Sequence, residues 1–221
     1  MKLTNKFFPI LLTIVSLSSC NNSNKSASLT SVDSKTTENT DSISLTTLVR
    51  NAFKWHEMVY RKNGFPYKFN SPNDSIFTNI DWDAYRIDMA IYKKTNFFSD
   101  KFFTKHQSIA QSIDSSISQA PIQFRNAKDG ISIWDTDSDD WCNCQDNPDD
   151  YWNLITLANF KYSANDVSFT WSWGDKNVPS TNKNKMGASK ENGIWKISYL
   201  TGFDNYGTVA HYKQVITSLE K

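Results

Sequence analysis

The densest chemistry in this sequence lies in residues 129–150, which hold eight aspartates and no lysine or arginine. Asp135, Asp137 and Asp139 alternate along the chain, Asp140 follows, and Asp146 stands at the twelfth place counted from Asp135. Hard cations want several oxygens converging from a tight loop, and carboxylates at every second position can supply them. If the segment takes an ion, calcium fits it, with Asp135, Asp137, Asp139 and Asp146 as ligands. The pattern departs from an EF-hand loop in two places. Asp140 stands where glycine makes the turn, and Asp146 is shorter than the bidentate glutamate of the last position. The preferred reading is a solvated acidic loop or a docking patch for a basic partner, with Asp140 among its contacts.

A second reactive position is Cys20. Residues 1–20 place Lys2 and Lys6 before an apolar run from Phe7 to Leu17, too short to span a bilayer, and close on Leu17-Ser18-Ser19-Cys20. That ending resembles a lipobox, in which the cysteine thiol takes a diacylglycerol before cleavage and palmitate-type acyl chains anchor the mature N-terminus. Several acyl chains on one residue anchor firmly, where a single chain is marginal. The expected protein is thus a bacterial lipoprotein with a signal peptide over 1–19. Its expected place is the cell envelope, on the outer membrane facing the periplasm. Residues 20–42 follow with fourteen Ser, Thr and Asn, too polar to offset their own ordering entropy, and read as a disordered tether reaching about 25 Å.

Cys142 and Cys144 are the remaining cysteines. Export implies an oxidising compartment, yet on a strand a bridge between i and i+2 is strained. The two thiols are expected as small buried hydrophobes. One residue between them is also too short for a zinc knuckle. His56 lies on the core stripe of a helix, and His106 and His211 have no acidic residue at a suggestive spacing. Asp166, Asp204, Tyr162 and Tyr199 could reach a pocket mouth by strand parity. No nucleophile elbow, paired histidine ligands or phosphate-cradling glycine loop is present, so no enzymatic signature emerges.

The elements that must position these residues begin with a helix over 43–62, where Leu45, Leu48, Val49, Ala52, His56, Val59 and Tyr60 share a stripe. A loop rich in Asn, Ser and Pro runs to about Asn79. Asp81 caps a second helix carrying Trp82, Tyr85, Met89 and Tyr92. Ser99 or Asp100 caps a third carrying Phe102, Ile109, Ile113 and Ile117 up to Pro121. Beyond Pro121 the period becomes alternating. Val167, Phe169, Trp171 and Trp173 make the cleanest strand, Trp152–Phe160 reads as a central strand, and Asn192-Gly193 turns a hairpin between Met186–Glu191 and Ile194–Leu200. Thr208–Leu219 returns to helical spacing. The fold class is α+β: N-terminal helices packed on a curved antiparallel sheet, plus a C-terminal helix, as a single domain over 43–221.

The stretch Thr95-Asn96-Phe97-Phe98-Ser99-Asp100-Lys101-Phe102-Phe103, the segment Trp141-Cys142-Asn143-Cys144-Gln145-Asp146 and the closing Gly193-Ile194-Trp195-Lys196-Ile197-Ser198-Tyr199 resemble small cell-envelope proteins of the nuclear transport factor 2-like superfamily. The likeness covers about residues 45–201, and the C-terminal helix departs from it. It implies a cone-shaped domain. Several members are lipoproteins, and cousins act as immunity proteins that cap secreted toxins. It carries no catalytic residues over, and fold likeness alone does not assign function.

Removing residues 1–19, which hold two of the 24 basic residues and none of the 23 acidic ones, leaves a net charge of −1. That balance offers no concentrated basic face for nucleic acid. Trp171 and Trp173 share a strand face, which suits either a filled core or a ligand-stacking pocket. Together with Tyr199 and Asp140 they are the candidate pocket or partner-binding residues. Two functions follow as expectations. One is a non-enzymatic lipoprotein that binds an envelope protein as an accessory or immunity-type inhibitor. The other is a small-molecule binding or transforming cone with an apolar pocket.

Overall fold

The computed structural model describes residues 30–72, 74–126, 134, 138–174, 184–204, 214 and 217. Helix α1 (Thr30–Val59) completely buries Leu45, Val49, Ala52 and His56 of the expected stripe, adds Phe53 to it, and leaves Val59 exposed because the helix ends there. It starts thirteen residues earlier than the expected Ile43, inside the segment read as tether. Residues 30–42 contain no Pro or Gly to stop a helix. Their last turn is also tied to the fold, because Asp41 Oδ1 accepts from Trp195 Nε1 at 2.8 Å and from Lys190 Nζ at 3.1 Å. At the other end Tyr60 N–H reaches back to the carbonyls of Trp55 and His56, closing the helix three residues before the expected Lys62.

The segment read as a loop up to Asn79 contains a small hairpin, β1 (Tyr67–Phe69) and β2 (Phe77–Ile80), paired Tyr67 to Ile80. Its aromatic residues were hidden among turn-forming neighbours, but Phe77 and Ile80 are buried. Helix α2 (Trp82–Lys94) is capped by Asp81, whose side chain accepts from the N–H groups of Asp83 and Ala84. Helix α3 (Asp100–Gln119) is capped by Ser99 through the N–H of Phe102. Asp114 on α3 holds the hairpin, accepting Ile80 N–H at 2.7 Å and Trp82 Nε1 at 3.1 Å.

A four-stranded antiparallel meander follows in the order β3 (Ile155–Ser163), β4 (Asp166–Trp173), β5 (Asn184–Glu191), β6 (Ile194–Leu200). The turn joining β5 and β6 has Asn192 and Gly193 both at positive φ, 52° and 80°, as the mirror-image hairpin turn requires. The expected central strand Trp152–Phe160 is corrected in two ways. Tyr151–Leu154 form a 3₁₀ turn, and β3 is the outer strand of its sheet. Its apolar residues mislead because Ile155 is fully buried while Leu157 and Phe160 are only half-buried at the sheet margin. On the opposite side the backbone of Phe97 and Ser99 bonds to Ile197, at 2.8 and 2.9 Å, and hangs α3 on β6.

Helices and sheet meet in an aromatic core. Phe53 of α1 lies 4.7 Å from Trp171, 5.3 Å from Trp141 and 5.9 Å from Tyr151, ring centre to ring centre. These edge-on contacts are the geometry that ring quadrupoles favour. The α+β class is thereby shown: helices on one face of an antiparallel sheet, with a second two-stranded sheet beside it. Among the described residues no helix is long and apolar enough to cross a membrane. Of the expected C-terminal helix only Gln214 and Thr217 are described, both helical. Residues 1–19 and Cys20 lie outside the described residues.

Candidate functional site

Strand alternation divides the meander into two faces. Val167, Phe169 and Trp171 of β4 point to the core with Met186 and Ala188 of β5, their register partners or neighbours. The opposite face carries Ser168, Thr170, Lys161 and Lys185, with Lys161 opposite Ser168 and Thr170 opposite Lys185. That face forms an open cleft of about 830 Å³, reaching from Asn159 to Tyr199. Gly187 lies in its floor, where a Cβ would stand 3.1 Å from Ser198 Oγ. Lys101 reaches from α3 over β6 to Asp166, at 2.6 and 2.7 Å, and Ser189 Oγ donates to the same carboxylate at 2.5 Å. The Lys101 and Ser189 hydrogen bonds hold the Asp166 carboxyl below the usual carboxylate range. Lys105 lies 4.0 Å from the Tyr199 ring centre and 3.7 Å from Asp204. Lys161 and Lys185 are exposed, and neither pairs with a carboxylate among the described residues.

A second feature lies where α1 ends against the loop holding Asp139. The His56 imidazole is fully buried and stacks on Trp141, with ring centres 4.3 Å apart. Its Nε2 lies 3.2 Å from the Lys62 carbonyl, and its Nδ1 has no hydrogen-bond partner. Glu57 Oε1 stands 3.7 Å from Nδ1, and His56, Glu57 and Asp139 each place one ligand atom within 4.8 Å of the other two. Burial pushes the His56 pKa down, against the opposing pull of Asp139 and Glu57. A polar cleft of about 240 Å³ lined by Arg61, Asn63, Ser138, Asp139 and Asn147 opens beside them.

Of the acidic loop, the structure describes residues 134 and 138–150. Asp139 Oδ1 accepts the N–H groups of Trp141 at 2.7 Å and Cys142 at 3.0 Å, and its backbone N–H donates to the Cys144 carbonyl. Asp140 is buried and accepts Gly64 N–H at 2.5 Å. Asp146 is exposed, and Asp135 and Asp137 lie outside the described residues. Within this turn Cys142 and Cys144 form a disulfide, Cα to Cα 5.2 Å, which corrects the expectation of two free buried thiols. The expectation assumed extended backbone. Asn143 instead sits at φ 50°, so the chain doubles back and brings the two sulfurs together.

Of the other candidates, Trp171 is a core residue, and Trp173 is half-buried against Tyr151 and Trp171. Tyr199 alone of the four candidate binding residues lines the sheet cleft. Asp166 lies at that cleft's rim, Tyr162 is exposed on the other face of β3 with its ring near Trp195, and Asp204 faces Lys105. His106 is buried among Phe65, Phe102 and Phe203 with Tyr85 Oη 2.9 Å from its Nδ1. His211 lies outside the described residues. Sequence reasoning missed Lys161 and Lys185, whose shared face needs the strand register. It also missed the joining of His56 and Glu57 to Asp139, which no local spacing signals across 83 positions.

No family model, curated protein or solved structure matches the chain. The class its fold defines is α+β.

Proposed function

We propose that the chain is a lipid-anchored, non-enzymatic binding domain of a bacterial cell envelope that holds an acidic protein partner on the outer face of its four-stranded sheet. The observation that supports this best is the open cleft of about 830 Å³, in which Lys161 and Lys185 have no carboxylate to pair with among the described residues. Hydroxyls of Ser163, Ser168, Thr170 and Ser198 line the same floor. Lysines displayed this way favour a partner of opposite charge and steer its approach. The cleft is broad and open, which suits a protein surface better than an enclosed ligand. Against the core, the cavity beside Phe102, Ile109 and Phe203 measures about 10 Å³, too small for an apolar ligand. A groove of about 480 Å³ by Trp82, Met89 and Phe103 lies outside, between α2 and α3. The small-molecule reading therefore has less in its favour.

The order of three helices before a four-stranded antiparallel meander is what a cone of the nuclear transport factor 2-like kind would have, and that cone is part of this proposal. The lipobox-like Leu17-Ser18-Ser19-Cys20 supports the lipid anchor. The test is crosslinking of the full-length protein in its own cells, followed by capture in detergent and mass spectrometry. One envelope protein should be recovered in stoichiometric amount, less of it at high salt, and not by the double variant Lys161→Glu, Lys185→Glu. Undiminished capture by that variant, or a co-purifying apolar small molecule in place of a protein, would overturn the reading.

A further inference from the structure

His56 has a hydrogen-bonding problem that its neighbours do not solve. The Lys62 carbonyl can only accept, so Nε2 at 3.2 Å must carry the proton of a neutral imidazole. Nδ1 is then a bare lone pair, fully buried and without a donor. It faces carboxylate oxygens of Glu57 and Asp139. Neither carboxylate can donate to Nδ1, and a buried unsatisfied nitrogen is costly. A cation placed among them turns every one of these contacts favourable.

We propose that His56 Nδ1, Glu57 and Asp139 bind a divalent transition-metal ion of the zinc type. The donor set decides the class. An imidazole nitrogen with two carboxylates suits zinc and its neighbours, whereas calcium takes oxygen ligands only. Spacing agrees: tetrahedral zinc sets its ligand atoms about 3.3 Å apart, and Nδ1 to Glu57 Oε1 is 3.7 Å. The pairs lie within 4.8 Å, so modest rotations of Glu57 and Asp139 would complete the triangle.

Each ligand is also held from behind, as metal ligands usually are. The Lys62 carbonyl fixes the His56 tautomer, and the Trp141 indole fixes its ring plane. Tyr151 Oη donates to Glu57 Oε1 at 3.0 Å. The N–H groups of Trp141 and Cys142 occupy Asp139 Oδ1, which leaves the second oxygen for the ion. Arg61, 3.6 Å from Glu57 and largely exposed, can swing into solvent as the ion enters. On the Asp139 and Arg61 side, the polar cleft of about 240 Å³ would admit the ion and a coordinated water.

The test uses the full-length chain in detergent, stripped with chelator and kept non-reducing, then titrated with Zn²⁺ by calorimetry and thermal melting. One Zn²⁺ should bind per chain and raise Tm by several degrees, since an ion that binds only the native state stabilises it. X-ray absorption should show one nitrogen and several oxygen ligands. Glu57→Gln keeps an acceptor for Tyr151, and Asp139→Asn keeps one for the Trp141 N–H, so both variants should fold. Each should weaken Zn²⁺ binding at least tenfold. Absence of saturable uptake would overturn the proposal, as would uptake unchanged in both variants. So would a Tm rise with Ca²⁺ but not Zn²⁺, or uptake that needs reduction of the disulfide and vanishes in Cys142→Ser.

Discussion

Asp41 accepts a hydrogen bond from the indole N–H of Trp195 at 2.8 Å, joining the first helix to the last strand across more than 150 residues of chain. Lys190 completes the contact from β5, its ammonium 3.1 Å from the same oxygen and 4.8 Å from the Trp195 ring centre. Removing the carboxylate strands a buried indole donor, and hydrogen bonds to charged groups contribute roughly 1.5–3 kcal/mol. Asp41→Ala should therefore lower Tm by about 3–10 °C at the usual few degrees per kcal/mol for a chain of this size. A thermal melt followed by circular dichroism measures it. A shift under one degree would show that the turn of α1 around Asp41 contributes nothing to the fold.

The disulfide should matter little to stability. It closes a loop of sequence separation two, and in the chain-entropy account so short a loop contributes only about 1–2 kcal/mol. Alkylation without reductant should leave Cys142 and Cys144 unmodified by mass, and reductant should expose both while lowering Tm by a few degrees. A collapse of the fold on reduction would mean that the turn at Asn143 organises far more of the core than its own contacts indicate.

Acid should destabilise the protein through His106. Burial lowers its pKa from 6.5 to about 3. The unfolded chain takes up a proton below about pH 6.5, while the folded chain refuses it down to about pH 3. The stability this group contributes is thus fully present above the unfolded pKa. It falls as the pH drops through that window, by up to about 1.4 kcal/mol per pH unit. Urea titrations between pH 7 and 4 should show this slope. His106→Gln, which can still accept from Tyr85, should flatten it by close to one proton. An unchanged slope would assign the acid sensitivity elsewhere.

Lipidation is tested at its thiol. Cys20→Ser should abolish incorporation of a labelled fatty acid and move the protein from the detergent phase to the aqueous phase. Labelling that persists in the variant would remove the anchor from the proposed function.

What could be read in the sequence was local. Asp81 and Ser99 announce helix starts because a cap acts within three residues, Asn192-Gly193 announces a turn because few pairs tolerate positive φ, and β4 alternates without interruption. The remainder depends on partners far along the chain. Residues 30–42 look too polar to order until Trp195 and Lys190 reach Asp41. Trp152–Phe160 looks central until its place at the margin of the sheet is known. Cys142 and Cys144 look unable to pair until Asn143 turns the backbone. His56 reads as an ordinary core histidine, and its burial agrees. The carboxylate from Asp139 becomes visible only when the loop folds back on α1.

The backbone of Phe97 and Ser99 lies along β6, and the bulge between Ala158 and Lys161, with Asn159 at φ 56°, interrupts β3. An uncovered, regular strand edge invites a neighbouring chain to add itself to the sheet. Here one margin is interrupted at Ile197 by that backbone and the other is broken out of register, so among the described residues neither offers a long continuous row of amides. Many copies packed side by side should remain separate molecules, each with its lysine-bearing face turned outward and its sheet closed to growth.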